Sequence, residues 1–180
     1  KTLSSNLNDT YVTNTLSVEH ACYISNKLKI PIIYISTAGI FDGAKEVYDD
    51  WDIPNPLCHY SRSKYAGEVF VQKQVQNHLI ARAGWMMGAG PKKDKKFVQK
   101  IIQQIKNGEK ELYVVDDKFG TPTYTQDFAK NVKLLLEKEF WGVYNMVCEG
   151  VTSRLEVAQE ILNILTLQDE IKITKVTSEF

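Results

Sequence analysis

The chain has 180 residues, 22 basic and 22 acidic side chains for a formal net charge of zero, and 43% apolar residues. That length suits one compact domain, or one and a half small ones, and the composition excludes a wholly disordered chain. The charge balance argues against a nucleic-acid partner recognised through bulk charge.

No apolar run approaches the roughly 20 residues that span a bilayer, and no secretory pattern opens the chain. No membrane association is therefore expected, and a cytoplasmic setting is. Cys22, Cys58 and Cys148 are odd in number, far apart and form no CxxC pair. Neither a disulfide framework nor a zinc site is expected. His20, His59 and His78 lack metal-ligand spacing, so no metal is expected.

Residues 1–13 are polar and read as the tail of a loop. Asn14 to Lys27 reads as a helix, with apolar Leu16, Ala21, Tyr23, Ile24 and Leu28 on its pattern. Pro31 ends it, and Ile32-Ile33-Tyr34-Ile35 follows. A run apolar on both faces suits a buried parallel strand. Residues 36–59 form a long connection rich in Gly, Asp and Pro, of the kind that is usually functional or disordered. A helix from about Tyr60 to His78 and a short strand at Leu79-Ile80-Ala81 come next.

The second half opens with Gly84, Gly88, Gly90 and Pro91, then the charge run Lys92–Lys96. Helices are expected at Phe97–Asn107, Asp127–Lys138 and Ser153–Leu165. Strands are expected at Leu112–Val115, Val143–Val147 and Ile171–Val176. The alternation predicts an α/β sheet with crossover helices.

The chemistry-bearing residues are Ser36-Thr37, Tyr60 and Lys64. Tyr60 and Lys64, four apart on one helix, share a face. A nearby ammonium favours a phenolate, so Lys64 is expected to lower the Tyr60 pKa towards neutrality. Thr37, at a strand end, can bond the same substrate oxygen. The pair Tyr23–Lys27 has the same spacing but no hydroxyl-bearing strand end before it, and reads as chance. A simpler reading of Lys64 is an i,i+4 ion pair with Glu68.

The segments ISTAGIFDG and NPLCHYSRSKYAGE resemble the active-site region of extended short-chain dehydrogenases/reductases. Within them, the chain most resembles the dTDP-4-dehydrorhamnose reductase family of nucleotide-sugar reductases. Asn14–Glu19, Ala81–Met86, VDDKFGTPT at Val115–Thr123 and Gly142–Val147 with Gly150 and Ser153 extend the resemblance over nearly the whole chain.

The resemblance implies the C-terminal part of a Rossmann-type doubly wound parallel sheet plus a smaller α/β substrate-binding lobe. Residues 1–87 would belong to the NAD(P)-binding domain. Residues 88–180 would be mainly the lobe, with 121–147 packing back on the sheet. The implied catalytic set is Thr37, Tyr60, Lys64 and Asn14, the last positioning a water near Lys64. Ser36, Tyr60, Lys64, Arg82, Ala83 and Gly84 would face the cofactor, NADPH or NADH. Thr37, Ala38, Trp85 and Phe97 would face the substrate, a nucleotide 4-keto-6-deoxyhexose of the kind used in rhamnose biosynthesis. A homodimer is the assembly considered.

Two departures stand out. Ala38-Gly39 replaces the family's usual Asp-Tyr, and Ser61 replaces a common glycine. The family's first strand and GxxGxxG turn have no counterpart here, since neither Gly39–Gly43 nor Gly84–Gly88–Gly90 sits in that context. The chain therefore reads as starting after the fourth sheet strand, and it should be inactive alone and expose apolar strand edge. The Lys92–Lys96 run is a candidate for the substrate diphosphate, beside the reading as a solvated loop. An epimerase or dehydratase on the same scaffold is an alternative. So is a non-catalytic subunit resembling the regulatory subunit of methionine adenosyltransferase.

Overall fold

A computed structural model describes residues 7–88, 90, 93 and 96–179. Elements follow in chain order. Helix α1 (Leu7–Tyr11) runs through a π-helical turn (Val12–Leu16) into α2 (Ser17–Leu28). Strand β1 (Ile32–Thr37) leads to a 3-10 turn at Ala38–Ile40 and then α3 (His59–Gln74). Strands β2 (His78–Ala83) and β3 (Trp85–Met87) precede α4 (Phe97–Lys106), β4 (Glu111–Val115), β5 (Phe119–Gly120) and β6 (Pro122–Tyr124). Helix α5 (Thr125–Glu137), β7 (Gly142–Met146), β8 (Thr152–Ser153), α6 (Arg154–Leu165) and β9 (Lys172–Val176) complete the order.

The described residues form two compact units. The first runs up to Gly84 and includes Phe128–Val147. Its sheet has the order β1-β2-β7, and both pairings are parallel. Parallel strands need crossover connections, and α3 supplies the first. Val18, Cys22, Tyr34, Val71, Val75 and Ile80 make the core between α2, α3 and the sheet. The spacing of Val18, Cys22 and Ser25 gives α2 one buried stripe.

The second unit is Trp85–Asp127 with the chain from Cys148 onward. Its core joins Ile101 of α4, Leu112 and Val114 of β4, and Leu155, Ala158 and Leu162 of α6. Strands β4 and β9 pair in parallel, as do β3 and β6, while β5 and β8 are antiparallel. A capping box starts α6: Ser153 accepts from the Glu156 N–H, and the Glu156 carboxylate accepts from the Ser153 N–H.

Two sequence expectations are corrected here. The polar stretch before Asn14 is helical from Leu7, because Thr10 is buried and α1 packs on α3. And β1 is buried on one face only. Tyr34 and Ser36 face the core, whereas Ile33 and Ile35 are 42% and 41% exposed. Strand alternation sends these two residues to the opposite face.

Helix α3 is fastened to β2 by a buried ion pair. Glu68 and Arg82 are 0% and 3% exposed. Arg82 Nη2 donates to Glu68 Oε2 at 2.9 Å, and Arg82 Nε lies 3.2 Å from both carboxylate oxygens. The guanidinium also sits 5.4 Å over the Phe41 ring. Removing one partner strands the other charge in the core. Glu68→Ala is therefore expected to cost about 3–5 kcal/mol in denaturant unfolding. A loss below about 1 kcal/mol would show that the pair is solvated.

Candidate active site

The ends of β1 and β2 are level. Ser36 pairs with Arg82 and Thr37 with Ala83, and Gly84 follows at once. These are the carboxyl ends of parallel strands, where α/β sheets receive ligands. The Thr37 hydroxyl oxygen accepts from the Gly39 N–H at 3.1 Å, closing the 3-10 turn. A Cβ on Gly39 would lie 3.3 Å from both Thr37 Oγ1 and Ser61 Oγ. The turn thus brings Thr37 beside the first turn of α3, which carries Tyr60. The following connection is ordered rather than loose. Asp42 accepts from the Tyr48 hydroxyl at 2.6 Å, the Ala44 N–H at 3.0 Å and Asn55 Nδ2 at 2.9 Å. Asp50 accepts from the Asn145 N–H on β7.

Tyr60 is 38% exposed, and among the described residues its hydroxyl has no hydrogen-bond partner. Burial pushes its pKa above the ordinary phenol value, with the Cys58 thiol adding to the effect. This differs from the expectation that Lys64 lowers it: burial is the largest cause of the shift, and Lys64 is not among its causes. A phenol raised in this way is fully protonated at neutral pH, the state required of a proton donor.

Lys64 lies one turn further on, and Glu68 does not pair with it. The Glu68 carboxylate is taken by Arg82, so the i,i+4 reading of Lys64 is corrected. The Lys64 ammonium instead rests 4.0 Å over the Tyr34 ring. Burial lowers its pKa to about 8, and the field of Glu68 opposes that. A cation–π contact offsets only part of such desolvation.

Behind Tyr60 and Lys64 lies a hydrogen-bonded network. Asn14 Nδ2 donates to Ser63 Oγ at 3.0 Å, and Ser63 Oγ donates to the Tyr60 carbonyl at 2.7 Å. The Tyr34 hydroxyl faces the carbonyls of Asn14 at 3.2 Å and Lys64 at 3.1 Å. It has one proton to share between them. The π-helical turn carries Asn14 into this position. Tyr34 is the residue that sequence reasoning missed. Its place within an apolar strand marked it only as core.

Arg82 points into the Glu68 pair, so its side chain is engaged inside the fold. Ser36 Oγ is buried with no partner among the described residues. Ala38 lies in the 3-10 turn directly after Thr37. The first unit thus gathers Asn14, Ser36, Thr37, Ala38, Tyr60, Lys64, Arg82, Ala83 and Gly84. Trp85 and Phe97 belong to the second unit. There the Arg154 guanidinium sits over both rings, 4.7 Å and 4.9 Å from their centroids. Arg154 also escaped the sequence reading, because nothing in the spacing links it to Trp85. Of the charge run, Lys92, Asp94 and Lys95 lie outside the described residues, and so does the diphosphate reading of that run.

The arrangement offers one phenol donor, one ammonium with no carboxylate ion pair among the described residues, and one strand-end hydroxyl. That donor set suits a carbonyl oxygen and a neighbouring diol.

Known proteins resemble the chain over nearly its whole length. The family model described as "RmlD substrate binding domain" matches residues 4–179. The chain is 29% identical over 174 residues to the spore coat polysaccharide biosynthesis protein SpsK of Bacillus subtilis, covering 96% of this chain and 59% of that protein. It is 30% identical over 157 residues to a dTDP-4-dehydrorhamnose reductase of Mycobacterium tuberculosis, covering 84% and 51%. Among solved structures, the dTDP-4-dehydrorhamnose reductase of Yersinia enterocolitica superposes with a TM-score of 0.86 at 36% identity, over 92% of this chain and 58% of that one. The Bacillus anthracis enzyme in complex with NADP gives 0.90 at 29% identity, over 98% and 61%. The chain therefore spans between half and about three-fifths of the length of these relatives.

Gly67 allows the network to close. A Cβ there would overlap the Tyr34 hydroxyl and the Asn14 carbonyl oxygen. Gly67→Ala is expected to cost about 1–3 kcal/mol by overpacking in thermal or denaturant unfolding. Unchanged stability would show that α3 and Tyr34 are not in close contact.

Proposed function

The chain belongs to the RmlD substrate binding domain family, and on that premise we propose that it carries the proton-donating and substrate-facing residues of a nucleotide-sugar 4-ketoreductase. The substrate class is a nucleotide 4-keto-6-deoxyhexose, and the reductant is NADPH or NADH. This reading implies a cytoplasmic setting and allows a homodimer.

The observation that carries the reading is that Tyr60 stands one helical turn before a Lys64 ammonium that rests on the Tyr34 ring and, among the described residues, forms no ion pair with a carboxylate, since Arg82 takes Glu68. In reduction of a ketone, the carbonyl carbon gains a hydride and the oxygen gains a proton. The nicotinamide supplies the hydride when bound. Tyr60 donates the proton to the C4 oxygen. Thr37 accepts its internal bond from Gly39, so its own proton is free to bond that same oxygen. The Lys64 donors suit the ribose hydroxyls of the nicotinamide nucleotide, and their charge stabilises the phenolate left after proton transfer. The level strand ends at Ser36–Thr37 and Arg82–Gly84 fit a cofactor held against this edge. Asn14 acts through Ser63 to fix the backbone at Tyr60.

The test is NADPH oxidation by the intact protein with a dTDP-4-keto-6-deoxyhexose. Tyr60→Phe removes the proton donor and keeps the ring. It is expected to lower kcat by about 10²–10⁴-fold with KM little changed. Undiminished turnover in that variant would refute the assignment. Absence of turnover in the unaltered protein would favour a non-catalytic role on the same fold.

A further inference from the structure

Arg154 opens α6 in the second unit, directly after the Ser153 cap. Its guanidinium carbon is flanked by Trp85 of β3 and Phe97 of α4. Three separate segments thus converge on one cation. The setting is rigid. The Trp85 N–H donates to the Thr121 carbonyl at 2.9 Å, and a Cβ on Gly120 would overlap the indole. The Arg154 N–H donates to the Lys118 carbonyl at 3.1 Å.

What is missing is a counter-charge. Among the described residues the Arg154 side chain has no hydrogen bond and no ion pair. The acid in the same turn, Glu156, is committed to Ser153 and Thr152. Asp117 is committed to Ser178. Burial pushes the Arg154 pKa below its ordinary value, and no acid offsets the shift. Two aromatic rings hold the guanidinium in place, but they repay little of the desolvation of a charge. An incoming anion would repay more. A guanidinium presents its N–H donors in a planar fork that matches two phosphate oxygens.

We propose that Arg154, framed by Trp85 and Phe97, receives the diphosphate of the nucleotide-sugar substrate. The identity of the ligand rests on the reductase reading above, where the diphosphate is the strongly anionic group of the substrate. One consequence concerns Trp85. The guanidinium already occupies one face of its indole, so Trp85 serves as a wall for the cation as well as an apolar surface for the substrate.

The test is calorimetric titration of the intact protein with thymidine diphosphate, thymidine and inorganic pyrophosphate. Arg154→Lys keeps the charge but loses the fork, and Arg154→Met keeps only the stem. A hydrogen bond to a charged group is worth about 1.5–3 kcal/mol, so both variants are expected to bind thymidine diphosphate about 10- to 150-fold more weakly. Their thymidine affinity is expected to be unchanged. Equal thymidine diphosphate affinity in wild type and in either folded variant would overturn the proposal. Pyrophosphate bound as tightly as thymidine diphosphate would overturn the substrate assignment. If Arg154→Met fails to fold, Arg154→Lys decides alone. Binding needs no turnover, so the Tyr60→Phe protein should bind thymidine diphosphate like the wild type. Arg154-dependent binding in a protein that reduces nothing would retain the anion site and reject the reductase reading.

Discussion

The buried pair between Glu68 and Arg82 organises the first unit. It joins the middle of α3 to the end of β2, and those two elements carry most of the candidate site. Its electrostatic effect reaches further than its anchoring. Glu68 stands one helical turn from Lys64, the ordinary place for a surface ion pair. Arg82 claims both of its carboxylate oxygens. Lys64 is left with an aromatic ring instead of a carboxylate beneath its ammonium. A lysine neutralised by Glu68 would have little charge left for a phenolate or a ribose.

The same economy recurs in the second unit, where Arg154 is held by Trp85 and Phe97 and, among the described residues, by no acid. In both places aromatic faces restrain a cation without quenching it. A ring quadrupole attracts a cation by about 0.5–2 kcal/mol and leaves its N–H donors unused. A carboxylate would take both the charge and the donors. Cations kept in this way are costly to the fold and available to ligands. This is the usual sign that stability has been traded for function at a site.

Much of this was legible in the sequence, for definite reasons. The helices at Phe97 and after Ser153 announce themselves by apolar spacing. Thr37, Tyr60 and Lys64 were found because strand-end and i,i+4 positions follow directly from local geometry. What was not legible depends on long-range packing. Leu7–Tyr11 has no apolar stripe, and it is helical because α1 packs on α3 and buries its own Thr10. Ile33 and Ile35 look like core because composition cannot tell which face of a strand is covered. The partner of Glu68 could not be read from spacing, since Arg82 is 14 residues away on a different element. The rise in the Tyr60 pKa was missed for the same reason. Burial is a property of the fold, and only the ammonium was visible in the sequence.

The chemistry of the first unit depends on Lys64 being a partly desolvated ammonium that forms no ion pair with Glu68. Direct titration of the Lys64 side chain by nitrogen-15 or carbon-13 NMR tests this. A midpoint of about 8 is expected, well below the ordinary lysine value. Arg82→Met, if folded, is expected to raise that midpoint by freeing Glu68 to pair with Lys64. A midpoint at the ordinary lysine value of about 10.4 in the unaltered protein would contradict the desolvation of Lys64.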